Sequence, residues 1–119
     1  MTATSPIFTV QFNALQAFIS RSLAAVDIPQ RDAETVANLM AQADLQGSDG
    51  HGVIRLPQYV KRIRAGGINT RPNIQVVQER AAMAVVDGDN AMGHLAVSQA
   101  VQLAIEKARS AGVAWVGTR

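Results

Sequence analysis

The spacing of apolar residues changes character once along this chain, and that change limits the fold more than any single motif does. Before residue 69 apolar side chains recur every third or fourth position; after residue 73 they come in short consecutive runs. The first pattern is one face of an amphipathic helix, and the second reads as strand. Leu15, Phe18, Ile19, Leu23 and Val26 give a first helix from about Asn13, stopping near Val26-Asp27-Ile28 ahead of Pro29. Pro29 can open the next helix, because a missing N–H costs nothing in the first turn. Ala33, Val36, Leu39, Met40 and Ala43 mark the second helix, and Gly47 its end. Leu56, Val60 and Ile63 mark a third, closed by Gly66-Gly67. Pro57 requires that helix either to start late, near Ile54 to Leu56, or to kink.

The stretch Asn69-Thr-Arg-Pro-Asn73 disfavours helix continuation and is the best internal boundary. Behind it, Ile74–Val77 and Ala82–Asp87 read as strands, Ser98–Ala111 as a helix that can begin as early as Met92, and Val113–Val116 as a third strand. Val97, Val101, Ala104, Ile105 and Ala108 are predicted to form that helix's buried face. The expected fold class is α+β, a three-helix segment (residues 1–70) followed by β-β-α-β (residues 71–119). Two short strands make a poor sheet and the last strand needs one to join, so further polypeptide or a second chain is expected to complete it.

Composition removes several classes of function. Apolar residues are 48% and charged residues 17%, which excludes a highly charged disordered chain. Cysteine is absent, so there are no disulfides or thiolate metal sites; that is compatible with a reducing cytoplasm, the expected location. No apolar run approaches the roughly 20 residues of a membrane helix. The first residues lack the basic and apolar regions of a secretory signal. A net charge of +2 makes only a weak global field.

Chemistry concentrates in Gly47-Ser-Asp-Gly-His51-Gly-Val-Ile-Arg55-Leu-Pro-Gln-Tyr59. His51, Arg55 and Tyr59 stand at i, i+4 and i+8, and on a continuous helix they would fan across about 80° of one side. An imidazole exchanges a proton near neutral pH. A guanidinium holds a carboxylate through two parallel hydrogen bonds, and a phenol orients a hydroxyl or carbonyl. Together they suit a small anionic substrate with a carbonyl or hydroxyl beside its carboxylate; the plainer alternative is a glycine-rich turn whose polar residues only cap a helix. The other motifs point to less. Gly47-x-x-Gly50-x-Gly52 follows a helix and has the wrong glycine order for a dinucleotide fingerprint. Asp87-Gly-Asp-Asn90 lacks the later ligands of a calcium loop and reads as a turn. His94 reads as structural, at a helix start, and two lone histidines give no transition-metal motif. Arg55, Lys61, Arg62, Arg64 and Arg71 make a basic stretch that leaves a helix-turn-helix DNA reader as an alternative, although three glycines and a proline weigh against it. A dimerisation module is the other non-catalytic alternative.

The run Gly-x-Asp-x-His-Gly-x-x-Arg-Leu-Pro-x-Tyr-Val-x-Arg-Ile-x-x-Gly, here Gly47 through Gly66, resembles the N-terminal signature of the malate/L-lactate dehydrogenase family that is unrelated to the Rossmann-type enzymes. The likeness continues through Ala43-Asp44-Leu45, Gly66-Gly-Ile-Asn69, Val86-Asp-Gly-Asp-Asn90 and Ala104-Ile-Glu-Lys-Ala-Arg109-x-x-Gly112-Val113. The resemblance implies an NAD- or NADP-dependent oxidoreductase interconverting small 2-oxo (or imino) and 2-hydroxy (or amino) acids. It implies a homodimer, with a helical segment and a non-Rossmann sheet domain that binds the nicotinamide cofactor. It makes His51 the proton donor, Arg55 the grip on the substrate carboxylate, and Tyr59 a neighbour of the pocket. It names no cofactor-binding residue in this chain and no metal. Gly50 departs from the serine many members carry before the histidine. Family members are also much longer, so this chain resembles their N-terminal part, and the 119 residues alone are expected to be inactive.

Overall fold

The computed structural model describes residues 8–119. The elements run α1 (Phe12–Ala24), α2 (Gln30–Leu45), two 3-10 turns (Asp49–His51 and Val53–Arg55), α3 (Leu56–Arg64), β1 (Gln75–Glu79), β2 (Met83–Asp87), α4 (Gly93–Ala111) and β3 (Trp115–Thr118). The α+β reading and the order of elements hold. Pro57 lies in the first turn of α3, so that helix starts late and does not kink. Pro29 is the residue before α2, its carbonyl accepting from Ala33 N at 2.9 Å.

The helical core follows the three-and-four spacing. Ile19, Leu23 and Val26 of α1 and its exit turn close on Ala33, Val36, Ala37 and Met40 of α2, with Leu56 and Ile63 of α3 completing the cluster. Three residues of the predicted stripes fall outside it: Phe18 and Leu39 are exposed and Ala43 is half-buried.

The sheet has the order β1-β2-β3. β1 and β2 are antiparallel, with a register shift between Val76 and Gln78; β2 and β3 are parallel, with Met83 opposite Trp115 and Val86 opposite Thr118. A parallel pair needs a long crossover, which α4 supplies. Ala84 and Val86 of β2 are buried while Met83 is exposed, as the two-residue alternation of a half-covered sheet requires.

The face of α4 is the main correction to the sequence reading. Val97, Val101 and Ile105 are exposed, and the buried positions are Ala96 and Ala100. Both sides of this helix are apolar enough to pass for a core face. The small side chains win the inner side because α4 packs closely on β2: a Cβ added to Gly88 would stand 2.9 Å from the Ala96 Cβ.

The two halves are fastened at one corner. Met92, just before α4, is 2% exposed and buried in the helical core. Asn69 N donates to Asn90 O at 2.9 Å, tying the exit of α3 to the turn before α4. These contacts set the start of α4 beside α3.

Candidate functional site

The site begins where α2 ends. Gly47 adopts φ +79, a left-handed conformation that glycine reaches without the Cβ clash. Its N–H donates to Asp44 O at 3.1 Å and Ser48 N donates to Ala43 O at 2.8 Å, the paired bonds of a Schellman stop. The chain then makes the first 3-10 turn, closed by His51 N donating to Ser48 O at 2.9 Å. Gly52 follows in an extended conformation, φ −87 and ψ −152. Val53 N donates to Asp44 Oδ2 at 2.8 Å, and a Cβ on Gly52 would overlap the same carboxylate. The second turn, Val53–Arg55, leads directly into α3.

This corrects the continuous-helix fan. Gly52 breaks the helix between His51 and Arg55, so only Arg55 and Tyr59 keep a helical relation. His51 stands on the preceding turn, exposed. Its ring is not sealed in apolar packing.

Arg55 is exposed and held in place from two sides. Its Nε donates to Gly50 O at 2.7 Å and its Nη1 to Gln58 Oε1 at 3.2 Å. Among the described residues the ion pairs are Lys107–Glu79 and Arg119–Asp87, so no carboxylate neutralises Arg55. A fixed guanidinium without an internal counter-ion is available to an anion from outside. Gly50 contributes through its carbonyl, and a side chain there would meet nothing within 4 Å, so the departure from serine is not forced by crowding.

Tyr59 is half-buried against the helical core. Its ring meets His94 edge to face, centroids 5.6 Å apart at 82°. His94 stands in the first turn of α4, the helix start at which the sequence reading placed it. Burial, and secondarily the charge of nearby His51, push its pKa below the usual 6.5. Its Nδ1 is buried with no hydrogen-bond partner among the described residues. Nothing in local spacing announces this neighbour, because the Met92 and Asn90 contacts bring it in from the far side of the sheet strands.

His94 makes stability pH-dependent in a defined direction. Its proton is bound more readily in the unfolded chain, so the native state is fully favoured above about pH 6.5 and loses stability as pH falls below it. Thermal melts from pH 7.5 to 5 should therefore show a falling Tm that His94→Gln flattens. An identical slope in the variant would contradict the assignment.

The turn Asp87–Asn90 is internally satisfied. Asp87 accepts from Asp89 N at 2.9 Å and pairs with Arg119, and both hold its carboxyl below the usual carboxylate range. Asp89 Oδ2 accepts from Asn69 Nδ2 and from Asn73 N. A hollow of about 530 Å³ over the open sheet face is lined by Val77, Met83, Val85 and Trp115, away from His51 and Arg55. No helix among the described residues is long and apolar enough to cross a membrane.

Comparison with known proteins shows the family and the fold of the chain. Residues 10–119 match the family model described as malate/L-lactate dehydrogenase. The L-sulfolactate dehydrogenase of Methanocaldococcus jannaschii is 42% identical over 92 residues, covering 77% of this chain and 27% of that protein. The malate dehydrogenase of Pyrococcus abyssi is 42% identical over 105 residues, covering 88% of this chain and 29% of that protein. The solved structure of the M. jannaschii sulfolactate dehydrogenase superposes with a TM-score of 0.89 at 37% identity, covering 94% of this chain and 33% of that one. The chain thus spans less than a third of the length of these curated relatives. The match runs through every element from α1 to β3, and the chain belongs to the malate/L-lactate dehydrogenase family.

Proposed function

We propose that this chain supplies the substrate-gripping half of an oxidoreductase that interconverts small 2-oxo and 2-hydroxy acids (or their imino and amino counterparts). The observation that carries the reading is Arg55, held by Gly50 and Gln58 yet paired with no carboxylate among the described residues, one turn away from the exposed His51. Arg55 grips the substrate carboxylate through parallel hydrogen bonds. His51 stands ready to give a proton to the carbonyl oxygen as charge develops there, and to take it back in the reverse direction. Tyr59, braced by His94, walls the pocket beside them. Residues 1–70 form the gripping segment and residues 71–119 the start of the sheet domain.

The cofactor under this reading is NAD or NADP. The turn ahead of α4 does not fit its diphosphate. This strand-to-helix turn, where a phosphate would meet helix N–H groups, presents the Asp89 carboxylate, whose charge opposes an anion, while the nearby Arg119 is already paired with Asp87. Most of the cofactor's contacts are assigned, under this reading, to the remaining length of a family enzyme. We propose also a homodimer in the cytoplasm; the exposed Val97, Val101 and Ile105 stripe is a surface that association would cover.

The test is an assay with 2-oxo acids and each reduced nicotinamide cofactor. The purified 119 residues should give no turnover. A chimera in which residues 10–119 replace the matching segment of the P. abyssi malate dehydrogenase should reduce a 2-oxo acid. A folded chimera inert with every 2-oxo acid and both cofactors would overturn the reading.

A further inference from the structure

We propose that Asp44 is a positioning residue, whose carboxylate fixes the Gly52–Val53 backbone and so sets the relation between His51 and Arg55. The inference rests on the reading of those two side chains as the substrate grip.

Asp44 is oddly placed if its role is only to build α2. It lies in the last turn of that helix, where the carbonyl ends make a negative charge unfavourable, and no basic residue shares that turn. No Lys or Arg pairs with it among the described residues. What it does instead is accept from Val53 N at 2.8 Å across nine positions of chain. An anionic acceptor on a backbone N–H is a stronger tie than a neutral one.

Gly52 completes the device. Its φ of −87 is open to any residue, so conformation does not demand glycine there. The Asp44 carboxylate does, since it fills the space a Cβ would need. Asp44 and Gly52 are thus matched: the carboxylate enters because the side chain is missing, and the backbone between the two 3-10 turns is pinned as a result. His51 ends one turn and Arg55 ends the other. Arg55 reaches back to Gly50 O at 2.7 Å, across the pinned peptide. Releasing the Val53 N–H lets the turns rotate about Gly52 and loosens that reach.

The experiment uses the 119-residue chain, NMR spectroscopy and oxalate as a planar probe of the grip. The readouts are solvent exchange at Arg55 Nε–H, the His51 ring resonances, and oxalate affinity from their shifts. Asp44→Ala is expected to speed Arg55 Nε–H exchange and weaken oxalate, each by about tenfold or more, the loss expected of one charge-assisted hydrogen bond. Backbone signals of α1 and of the strands should stay in place. Asp44→Asn keeps an acceptor oxygen and should recover most of both effects, which a general loss of stability would not do.

Unchanged Arg55 exchange and His51 resonances in Asp44→Ala would overturn the inference, as would an Asp44→Asn as impaired as Asp44→Ala. If Asp44→Ala does not fold, Gly52→Ala displaces the carboxylate without removing it and should give the same signature; parental signals there would equally overturn the proposal. Oxalate that fails to move the His51 and Arg55 signals of the parent chain counts against the 2-oxo-acid reading. Exchange at Arg55 would still decide the role of Asp44.

Discussion

A full-length chimera carrying residues 10–119 of this chain should lose about 10²- to 10⁴-fold in kcat when His51 is changed to Ala, the range over which a positioned proton donor contributes. The loss should fall on kcat with KM little altered, because proton transfer to the carbonyl oxygen develops only on the way to the transition state. His51 is suited to this by exposure and by its place on a turn pinned at both ends, with His51 N on Ser48 O and Val53 N on Asp44. The same substitution should leave Tm nearly unchanged, since the exposed ring adds nothing to the core. A variant with parental kcat would remove His51 from the mechanism.

Arg55→Ala should lower kcat/KM by about 10²- to 10³-fold, mostly through KM, as expected when one partner of a hydrogen-bonded charge pair is truncated. The guanidinium is already fixed by Gly50 O and Gln58, so little ordering is required when a carboxylate arrives. Arg55→Lys keeps the charge but loses the planar fork, and should recover only part of the affinity. Substrate profiles across acids of different side chain should fall in parallel, because the carboxylate is common to all. Loss confined to one substrate would mean that Arg55 reads the side chain instead.

The sequence made the helices legible because Leu23, Val36, Met40 and Leu56 sit at spacings that only a helix turns to one side. It made the helix stops legible because glycine and proline have few other uses there. It misjudged α4, where Val97, Val101 and Ile105 look more core-forming than Ala96 and Ala100. Periodicity marks an apolar side, but close packing on β2 selects for small volume, which a hydrophobic pattern does not encode. His51, Arg55 and Tyr59 were visible as residue types suited to one chemistry. Their geometry was not, since the break at Gly52 depends on a carboxylate contributed by α2. His94 was hidden for a related reason: its meeting with Tyr59 is fixed by Met92 and Asn90 through tertiary contacts, and such contacts leave no trace in local spacing.

Under the proposed function, His51 and Arg55 form one grip for a 2-oxo carboxylate. A crystal structure of the full-length chimera with oxamate, an amide analogue of a 2-oxo acid, tests this most directly. The carboxylate is expected on the Arg55 guanidinium through two hydrogen bonds of about 2.7–2.9 Å, with the adjacent carbonyl oxygen within hydrogen-bond reach of the His51 ring. Oxamate bound elsewhere, with Arg55 and His51 facing away from it, would contradict it.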